Sequence, residues 1–313
     1  MTRDTAAGDG LHLIDLDQPL PGQRRFISCW ARVADDLSYV VDPGPPSTGD
    51  ALVAALERLG LERLDFILLT HVHLDHGGTT AGILARWPRA RVVCHARGRE
   101  HLVDPSRLWE GSLAVLGDKA RVYGAPRPVP EAALADHAEA EARGITIIDT
   151  PGHAPHHVCF RHGDHLFLGE AAGTYSTLGQ GDATAEPYLR PATPPRFRLE
   201  TAQDSLDRLL ALDPLPDTLH FAHHGRHTGD ARALLAAARA QLGLWVDTCR
   251  DVAAARPGLD RAALMDAIAA ELVARDPHYA RGARLPDDIR EREADFTRQT
   301  LRGMLGYLEE ADA

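Results

Sequence analysis

Short apolar runs of strand length alternate along the chain with longer stretches that have helical spacing. Residues 66–69 and 145–148 are nearly continuous apolar runs, and each leads into a polar turn, which is the pattern of a buried strand. Residues 50–59 and 197–212 instead carry apolar side chains three and four positions apart, which predicts amphipathic helices. Because the strands fall into two groups with helices between and after them, the pattern predicts an α/β fold of the α+β type, with two sheets packed as a sandwich and helices outside.

Further strands and two long interruptions follow from the same pattern. Strands are expected at residues 11–16, 25–33, 40–41, 90–94, 158–161, 166–169 and 219–222. The segment at about 95–143 breaks the alternation and is interpreted as an inserted helical segment, with short helices at 96–103 and 105–116. Residues 173–195 are predicted to form a loop rich in Gly, Pro and Thr. Interruptions of this length usually cover an active-site face.

The chain is predicted to be helical beyond residue 227. Residues 259–273 and 286–310 are two of the expected helices. The helix before them has an apolar stripe formed by Leu235, Ala238, Leu242, Trp245, Cys249 and Val252. These helices contain no cluster of metal-binding side chains. We therefore interpret residues 1–227 as a catalytic core and residues 228–313 as a helical extension, not an independent domain, that covers the core or forms a homodimer interface.

Composition and charge exclude several classes of protein. The chain has 313 residues, 44% of them hydrophobic, and no apolar run approaches the ~18–20 residues that span a bilayer. The polar start, with Asp4 and Asp9, is unlike a signal peptide. The four cysteines are far apart and are expected to be reduced, core-packed thiols of a cytoplasmic protein: Cys29, Cys94, Cys159 and Cys249. A net charge of −11 argues against a nucleic-acid partner and leaves a small molecule as the expected one.

Histidines are clustered, and the first cluster lies in a turn between a strand and a helix. Ten of the 17 His fall within residues 71–76, 153–157 and 220–227. If the backbone is still extended at His71 and His73, their side chains point the same way. Asp75 and His76 then fall on the first helical turn and point elsewhere. One short turn can therefore offer two pairs of ligands to two neighbouring metal ions.

This HxHxDH turn resembles that of the metallo-β-lactamase superfamily of metallo-hydrolases. The resemblance extends to the strand at 145–150, which is followed by a Pro-Gly turn and a histidine, and to the short strand near residue 220. It implies a four-layer αββα sandwich, here with extra C-terminal helices, and a centre of two divalent metal ions. It also implies that one metal is held by His71, His73 and His153, and the second by Asp75, His76 and His223.

The carboxylate that bridges the two metals is where this sequence departs from the family. The family usually has Asp after an apolar strand and Gly, and this chain has Glu170. The extra methylene lets Glu170 bind both metals, bind one, or weaken the second site, so a single-metal centre stays open. His223 is preferred to His224 as the late ligand because it directly ends its strand. His224 is expected at the pocket rim or on the surface.

Three more residues are expected to support the site. Asp42 matches a family aspartate beneath the metals, although an ordinary turn aspartate would give the same pattern. His157, four residues past His153, is expected to orient a ligand or a carboxylate. Tyr175 follows Glu170 by five residues, an offset different from that of the family's lactonases, and is a candidate pocket residue.

The ligands and the resemblance imply a hydrolase. Two divalent metals, zinc with iron or manganese as alternatives, would lower the pKa of water and direct a metal-bound hydroxide at a small ester, lactone or thioester. Glyoxalase II and the acyl-homoserine lactonases have such chemistry. Asp75 and Glu170 are the expected catalytic carboxylates. Two alternatives are kept, a mononuclear iron oxidoreductase resembling persulfide dioxygenases and a non-catalytic metal-binding protein. A flavodiiron protein is disfavoured because it would normally have Glu in place of His73.

Overall fold

A six-stranded sheet forms one half of the molecule. In the computed structural model, which describes residues 4–178 and 187–311, its strands follow the order of the chain. They are β1 (Asp4–Gly8), β2 (Leu11–Asp15), β3 (Ser28–Arg32), β4 (Tyr39–Val41), β5 (Phe66–Leu68) and β6 (Arg91–Val93). Strands β1 to β4 pair antiparallel, whereas β4, β5 and β6 pair parallel. The carboxyl ends of β4 and β5 therefore lie side by side.

A five-stranded sheet forms the other half, and a separate two-stranded ribbon lies beside it. The strands of this half are β7 (Ile145–Asp149), β8 (Val158–His162), β9 (His165–Gly169), the ribbon strands β10 (Thr174–Ser176) and β11 (Tyr188–Arg190), β12 (Thr218–Phe221) and β13 (Arg226–His227). The sheet order is β13-β12-β9-β8-β7, with β9 and β12 parallel. The ends of β7, β9 and β12 carry the later candidate ligands.

Helices lie on the outer faces of both sheets and in the connections. They are α1 (Gly49–Arg58), α2 (Leu74–Gly77), α3 (Thr80–Arg86), α4 (Arg99–Val103), α5 (Ser106–Leu116), α6 (Asp118–Tyr123), α7 (His137–Glu141), α8 (Leu199–Leu210), α9 (Ala231–Ala255), α10 (Arg261–Arg275), α11 (Pro277–Ala280) and α12 (Asp287–Ala311). Short 3-10 turns occur at Pro46–Thr48, Ala96–Gly98, Glu131–Ala133 and Arg281–Arg284.

Three hydrophobic clusters lie between the four layers of the molecule, which are two layers of helices outside two facing sheets. Leu52 and Leu56 of α1 pack with Ile67 of β5 on the outside of the first sheet. Trp30 and Phe160 belong to the cluster between the two sheets. A third cluster joins the second sheet to α8, α9, α10 and α12. Burial of these apolar surfaces is the main favourable term in folding. The order of the layers, with helices outside two facing sheets, confirms the predicted αββα sandwich.

The predicted elements agree with the structure to within a few residues, and the differences are confined to weakly patterned segments. Strand β1 lies in the polar start of the chain, and it has no apolar alternation because it is an exposed edge strand. The predicted loop 173–195 contains β10 and β11, whose three-residue lengths give little periodic signal. Residues 179–186 of that loop lie outside the described ranges. Helices α6 and α7 add to the insertion at 95–143.

The C-terminal helices pack against the second sheet and its covering helix α8. All six apolar positions predicted for the stripe of α9 are buried. The four cysteines are free and buried, as predicted. The domain boundary at 227 and a homodimer interface stay predictions. No helix within the described ranges is both long enough and apolar enough to cross a membrane.

Candidate metal centre

The turn between β5 and α2 carries four polar side chains that form two pairs. His73 precedes α2 with a φ of −58° and a ψ of 156°, and α2 then carries Asp75 and His76. Before the helix, His71 Nε2 lies 2.9 Å from His73 Nδ1. On the helical turn, Asp75 Oδ2 lies 3.7 Å from His76 Nε2. The turn thus presents two separate pairs, as its spacing predicts.

The first pair is completed by residues from the second sheet. His153 follows β7 and brings its Nε2 to 3.0 Å from His73 Nδ1 and 2.9 Å from Glu170 Oε2. His71 Nε2 lies 3.6 Å from the same carboxylate oxygen. The ligand atoms of these four residues all lie within 4.8 Å of one another. Ligands of tetrahedral zinc, each about 2.0–2.1 Å from the ion, are separated by comparable distances.

The second pair is completed by His223, which follows β12. Its Nε2 lies 3.7 Å from Asp75 Oδ2. The ligand atoms of Asp75, His76 and His223 also lie within 4.8 Å of one another. Glu170 stands between the two groups, since its Oε2 is 3.4 Å from His76 Nε2 and its Oε1 is 3.4 Å from His223 Nε2. The longer side chain therefore reaches imidazoles of both groups.

Asp42 supports the turn from behind. It follows β4, and its Oδ1 accepts a hydrogen bond from the backbone N–H of Thr70 at 2.8 Å. Its Oδ2 accepts from the Thr70 hydroxyl at 2.7 Å and lies 3.1 Å from His76 Nδ1. The aspartate adopts a φ of 51°, a left-handed conformation that Asp tolerates better than most residues. With Nδ1 of His76 held by a carboxylate, Nε2 is left to face the centre.

His157 supports Glu170 through the backbone. Its Nε2 accepts the backbone N–H of Glu170 at 3.1 Å, and its Nδ1 lies 2.9 Å from the Thr150 hydroxyl. Because Nε2 is an acceptor, Nδ1 carries the proton and donates to Thr150. Gly169 makes this approach feasible, since a Cβ there would lie 2.5 Å from His157 Nε2. Its φ of +52° also favours glycine.

Burial keeps two imidazoles of the first group neutral. Desolvation lowers the pKa of His71 well below its usual range, and the neighbouring His76 lowers it further. Desolvation also lowers the pKa of His73 well below its usual range, followed by the effect of His153. A neutral imidazole is the form that binds a metal ion. These two residues are therefore in the binding form at neutral pH.

Ion pairing shifts the pKa values of His76 and Glu170 in the direction opposite to that of burial. Burial alone would lower the pKa of His76, but nearby carboxylates, with Asp75 the strongest, raise it well above its usual range. Burial alone would raise the pKa of Glu170, but His153 and His223 lower it well below its usual range. Glu170 is thus a buried anion surrounded by imidazoles. A divalent cation at this place would be attracted by the carboxylate.

Comparison with known protein families decides the family of the chain. Residues 22–248 match the family model of the metallo-beta-lactamase superfamily. The chain belongs to the metallo-β-lactamase superfamily. The fold agrees, because a metallo-beta-lactamase family protein from Thermus thermophilus aligns over 98% of this chain and 96% of its own, with a TM-score of 0.59 and 23% identity.

Curated members of the superfamily match part of the chain. A metallo-beta-lactamase fold-containing protein of Sulfurisphaera tokodaii is 31% identical over 53% of this chain and 62% of its own length. A hydroxyacylglutathione hydrolase of Aeromonas salmonicida is 30% identical over 62% of this chain and 59% of its own. The chain thus aligns with roughly three fifths of the length of these relatives.

The side chains of this superfamily member fit divalent cations. The Nε2 atom of His76 is buried and has no hydrogen-bond partner among the described residues, although it faces two carboxylates. An unpaired buried nitrogen is costly unless a ligand satisfies it. Imidazole and carboxylate are the donors that zinc and similar cations prefer. Access is possible on the side where His73, Asp75 and His153 are partly exposed.

Two predicted pocket residues lie elsewhere than expected. His224 is not a surface residue, since it is buried with a φ of 74° and its backbone N–H donates to Ser28 Oγ. Burial lowers its pKa to about 3. Tyr175 is not at the pocket, because its ring stacks on Phe221 at 4.7 Å within the cluster outside the second sheet. Of the adjacent histidines at 223 and 224, only His223 brings its ring nitrogen to the carboxylates.

Several supporting residues were missed by the sequence analysis. Thr70, whose hydroxyl donates to Asp42, directly precedes the HxHxDH turn, so its position was a usable signal. The other two have no local signal. Phe26 stacks on His223 with a centroid distance of 4.2 Å, and the carbonyl of Ala192 lies 3.1 Å from His153 Nδ1.

Proposed function

We propose that this protein is a metal-dependent hydrolase with two divalent cations, zinc with iron or manganese as alternatives, that cleaves a small ester, lactone or thioester. The observation that carries the proposal is the position of Glu170 between two groups of ligand atoms, with one carboxylate oxygen toward each late histidine. His71, His73 and His153 would hold one cation. Asp75, His76 and His223 would hold the other.

The cations, when bound, supply an acidified water and polarise the substrate carbonyl. The residues of the chain hold the cations in place and transfer protons. Asp75 is both near His76 and His223 and partly exposed, so its free oxygen can pass a proton to the leaving group. Glu170 is buried and would contribute one negative charge between the two cations.

The relatives support the class of bond. The name hydroxyacylglutathione hydrolase denotes cleavage of an acyl group from a carrier by water. Two such relatives are 32% and 30% identical to this chain over 45% and 62% of its length. We therefore place acyl thioesters first among the substrates to examine, with lactones and simple esters next.

The experiment is metal analysis of the purified protein combined with a hydrolysis panel. We expect two divalent ions per chain and turnover of at least one acyl thioester, lactone or ester. His71→Ala and His153→Ala should lose turnover by several orders of magnitude while the fold, followed by circular dichroism, survives. His12→Ala, a half-buried position on β2, is the matched control.

Two outcomes would contradict this proposal. Full turnover in His71→Ala with stoichiometric metal would mean that the ligand assignment is wrong. Iron near one per chain, with oxygen consumption in place of hydrolysis, would favour the mononuclear oxidoreductase.

A further inference from the structure

A buried ionic cluster on α12 lies behind the metal centre. Glu293 is buried, and its Oε2 accepts from Arg190 Nε at 2.5 Å. Its Oε1 accepts from Arg292 Nε at 2.9 Å, and Arg292 Nη2 lies 2.8 Å from the same oxygen. Both guanidinium groups are themselves buried. Replacing such a group by apolar side chains often does no harm to stability, so stability alone does not explain this cluster.

One arm of the cluster leads to the first group of ligands. Arg190 ends β11, and its Nη1 donates to the carbonyl of Pro191 at 3.1 Å. The hydroxyl of Thr300 on α12 donates to the same carbonyl at 3.1 Å. The next carbonyl, that of Ala192, lies 3.1 Å from His153 Nδ1 and accepts a hydrogen bond from it. This bond leaves Nε2 of His153 free for a cation.

The other arm leads to the second group. The Arg292 guanidinium lies over the ring of Phe26, 4.2 Å from its centroid. The Phe26 ring stacks on His223, with centroids 4.2 Å apart and planes 7° apart. Arg292 Nη1 also donates to the carbonyl of Gly22 at 2.7 Å, which fixes the start of the segment that carries Phe26. The plane of the His223 imidazole is therefore set by a ring that α12 holds in place.

We propose that Glu293 is a positioning residue that orients both His153 and His223 for metal binding, through Arg190 and Arg292 respectively. This inference rests on the proposed metal centre. It gives the C-terminal helix a role in metal affinity although it supplies no ligand. A ligand whose ring is already oriented loses less freedom when the ion binds, which strengthens binding.

The two arms predict different effects, which makes the proposal testable site by site. Phe26→Leu keeps an apolar side chain but removes the flat ring, and should weaken only the second site. Thr300→Val keeps the shape but removes the hydrogen bond to Pro191, and should weaken only the first. Glu293→Gln should weaken both. Changes in the outer shell of metal sites typically cost about 10–100-fold in affinity, and we expect at least tenfold here.

The measurement is titration of zinc into the metal-free protein against a competing chelator, one dissociation constant per site. The visible spectrum of the cobalt-loaded protein reports ligand geometry independently of stability and activity. Arg298→Ala, an exposed position on α12 that pairs with Asp266, is the control for general effects on the helix. We expect the control to keep both dissociation constants and the spectrum of the parent.

The outcomes separate this inference from the proposed function. If the parent protein binds no metal, the proposed function fails and this inference fails with it. If the parent binds two ions and a folded Glu293→Gln variant binds them as tightly, with an unchanged cobalt spectrum, only this inference is overturned. The same holds if Phe26→Leu and Thr300→Val both bind them as tightly as the parent. Should Glu293→Gln not fold, the two conservative variants still decide.

Discussion

At the scale of single residues, the length of Glu170 determines how charge is distributed in the centre. Its Oε2 lies among His153, His76 and His71, and its Oε1 faces His223. Aspartate at this position would be shorter by one methylene. The additional length extends the reach of the carboxylate, which lies 3.4 Å from both His76 Nε2 and His223 Nε2.

Glu170→Gln is expected to lower occupancy of the second site more than that of the first. The amide keeps the shape but removes a negative charge, and the second group relies on anions more than the first, which retains three imidazoles. Loss of a direct ligand should cost at least ~10-fold in affinity. Titrating zinc into the metal-free variant measures this, with the exposed Glu141→Gln as the control. Two ions bound as tightly as in the parent would show that Glu170 is not a ligand.

Asp42→Asn tests the support behind His76. The amide oxygen can still accept one hydrogen bond, but the NH2 group cannot accept from the Thr70 hydroxyl or from His76 Nδ1. We expect the affinity of the second site to fall by about 10–100-fold, with the first site less affected. Asp50→Asn, an exposed position on α1, is the control. An unchanged second dissociation constant would contradict the assigned role of Asp42.

At the scale of elements, the end of β9 is a tight meeting point of three segments. Gly169 brings the backbone against His157 of the second sheet and Thr70 of the first. Gly163, in the turn between β8 and β9, has a similar φ of +56° but nothing within 4 Å of the position of a Cβ. The two glycines therefore share the same backbone strain and differ only in the space around them.

Gly169→Ala is expected to destabilise the protein by at least ~1 kcal/mol more than Gly163→Ala, because the strain of a positive φ is common to both and the clash is not. Urea unfolding of the metal-free proteins gives the two free energies of unfolding. Equal effects of the two substitutions would mean that the close approach is relieved at no cost, and that glycine at 169 serves only its backbone conformation.

At the scale of the whole molecule, several buried neutral histidines make the fold sensitive to acid. His220 lies in the interior against Trp30 and Phe167, at ring distances of 4.3 and 4.8 Å. Burial lowers its pKa well below its usual range, followed by the effect of His165. The unfolded chain takes up this proton near pH 6.5, whereas the folded chain does not. Stability is therefore unaffected above about pH 6.5 and falls as the pH drops below it.

We predict that His220→Phe reduces the fall in melting temperature of the metal-free protein between pH 7 and pH 5. Phenylalanine fills the same space between aromatic neighbours and cannot take up a proton. The variant also removes the hydrogen bond between His220 and His165, so the change in slope reports the titration of this pair of imidazoles. Other titrating groups are shared by variant and parent, and His12→Gln is the control. An identical pH dependence would show that His220 is not responsible.

Features of the fold and of the site that depend on neighbouring residues could be predicted from the sequence, whereas contacts between residues far apart in the chain could not. The HxHxDH turn was predictable because an extended segment followed by one helical turn fixes the directions of its own side chains. The neighbours of His153 and His223 were not, since Ala192 is 39 residues from the former and Phe26 nearly two hundred from the latter. Such pairings follow from sheet packing and leave no periodic pattern.

Each proposed cation has two ligands from the first sheet and one imidazole from the second, while Glu170 comes from the second. A bound ion would thus be a cross-link between the two halves of the sandwich. By thermodynamic linkage, a ligand that binds only the docked arrangement stabilises it by RT ln(1 + [L]/Kd), about 2.7 kcal/mol at a hundredfold excess over Kd. We therefore expect metal loading to slow amide hydrogen exchange at the facing ends of both sheets, not only in the turns that carry the ligands.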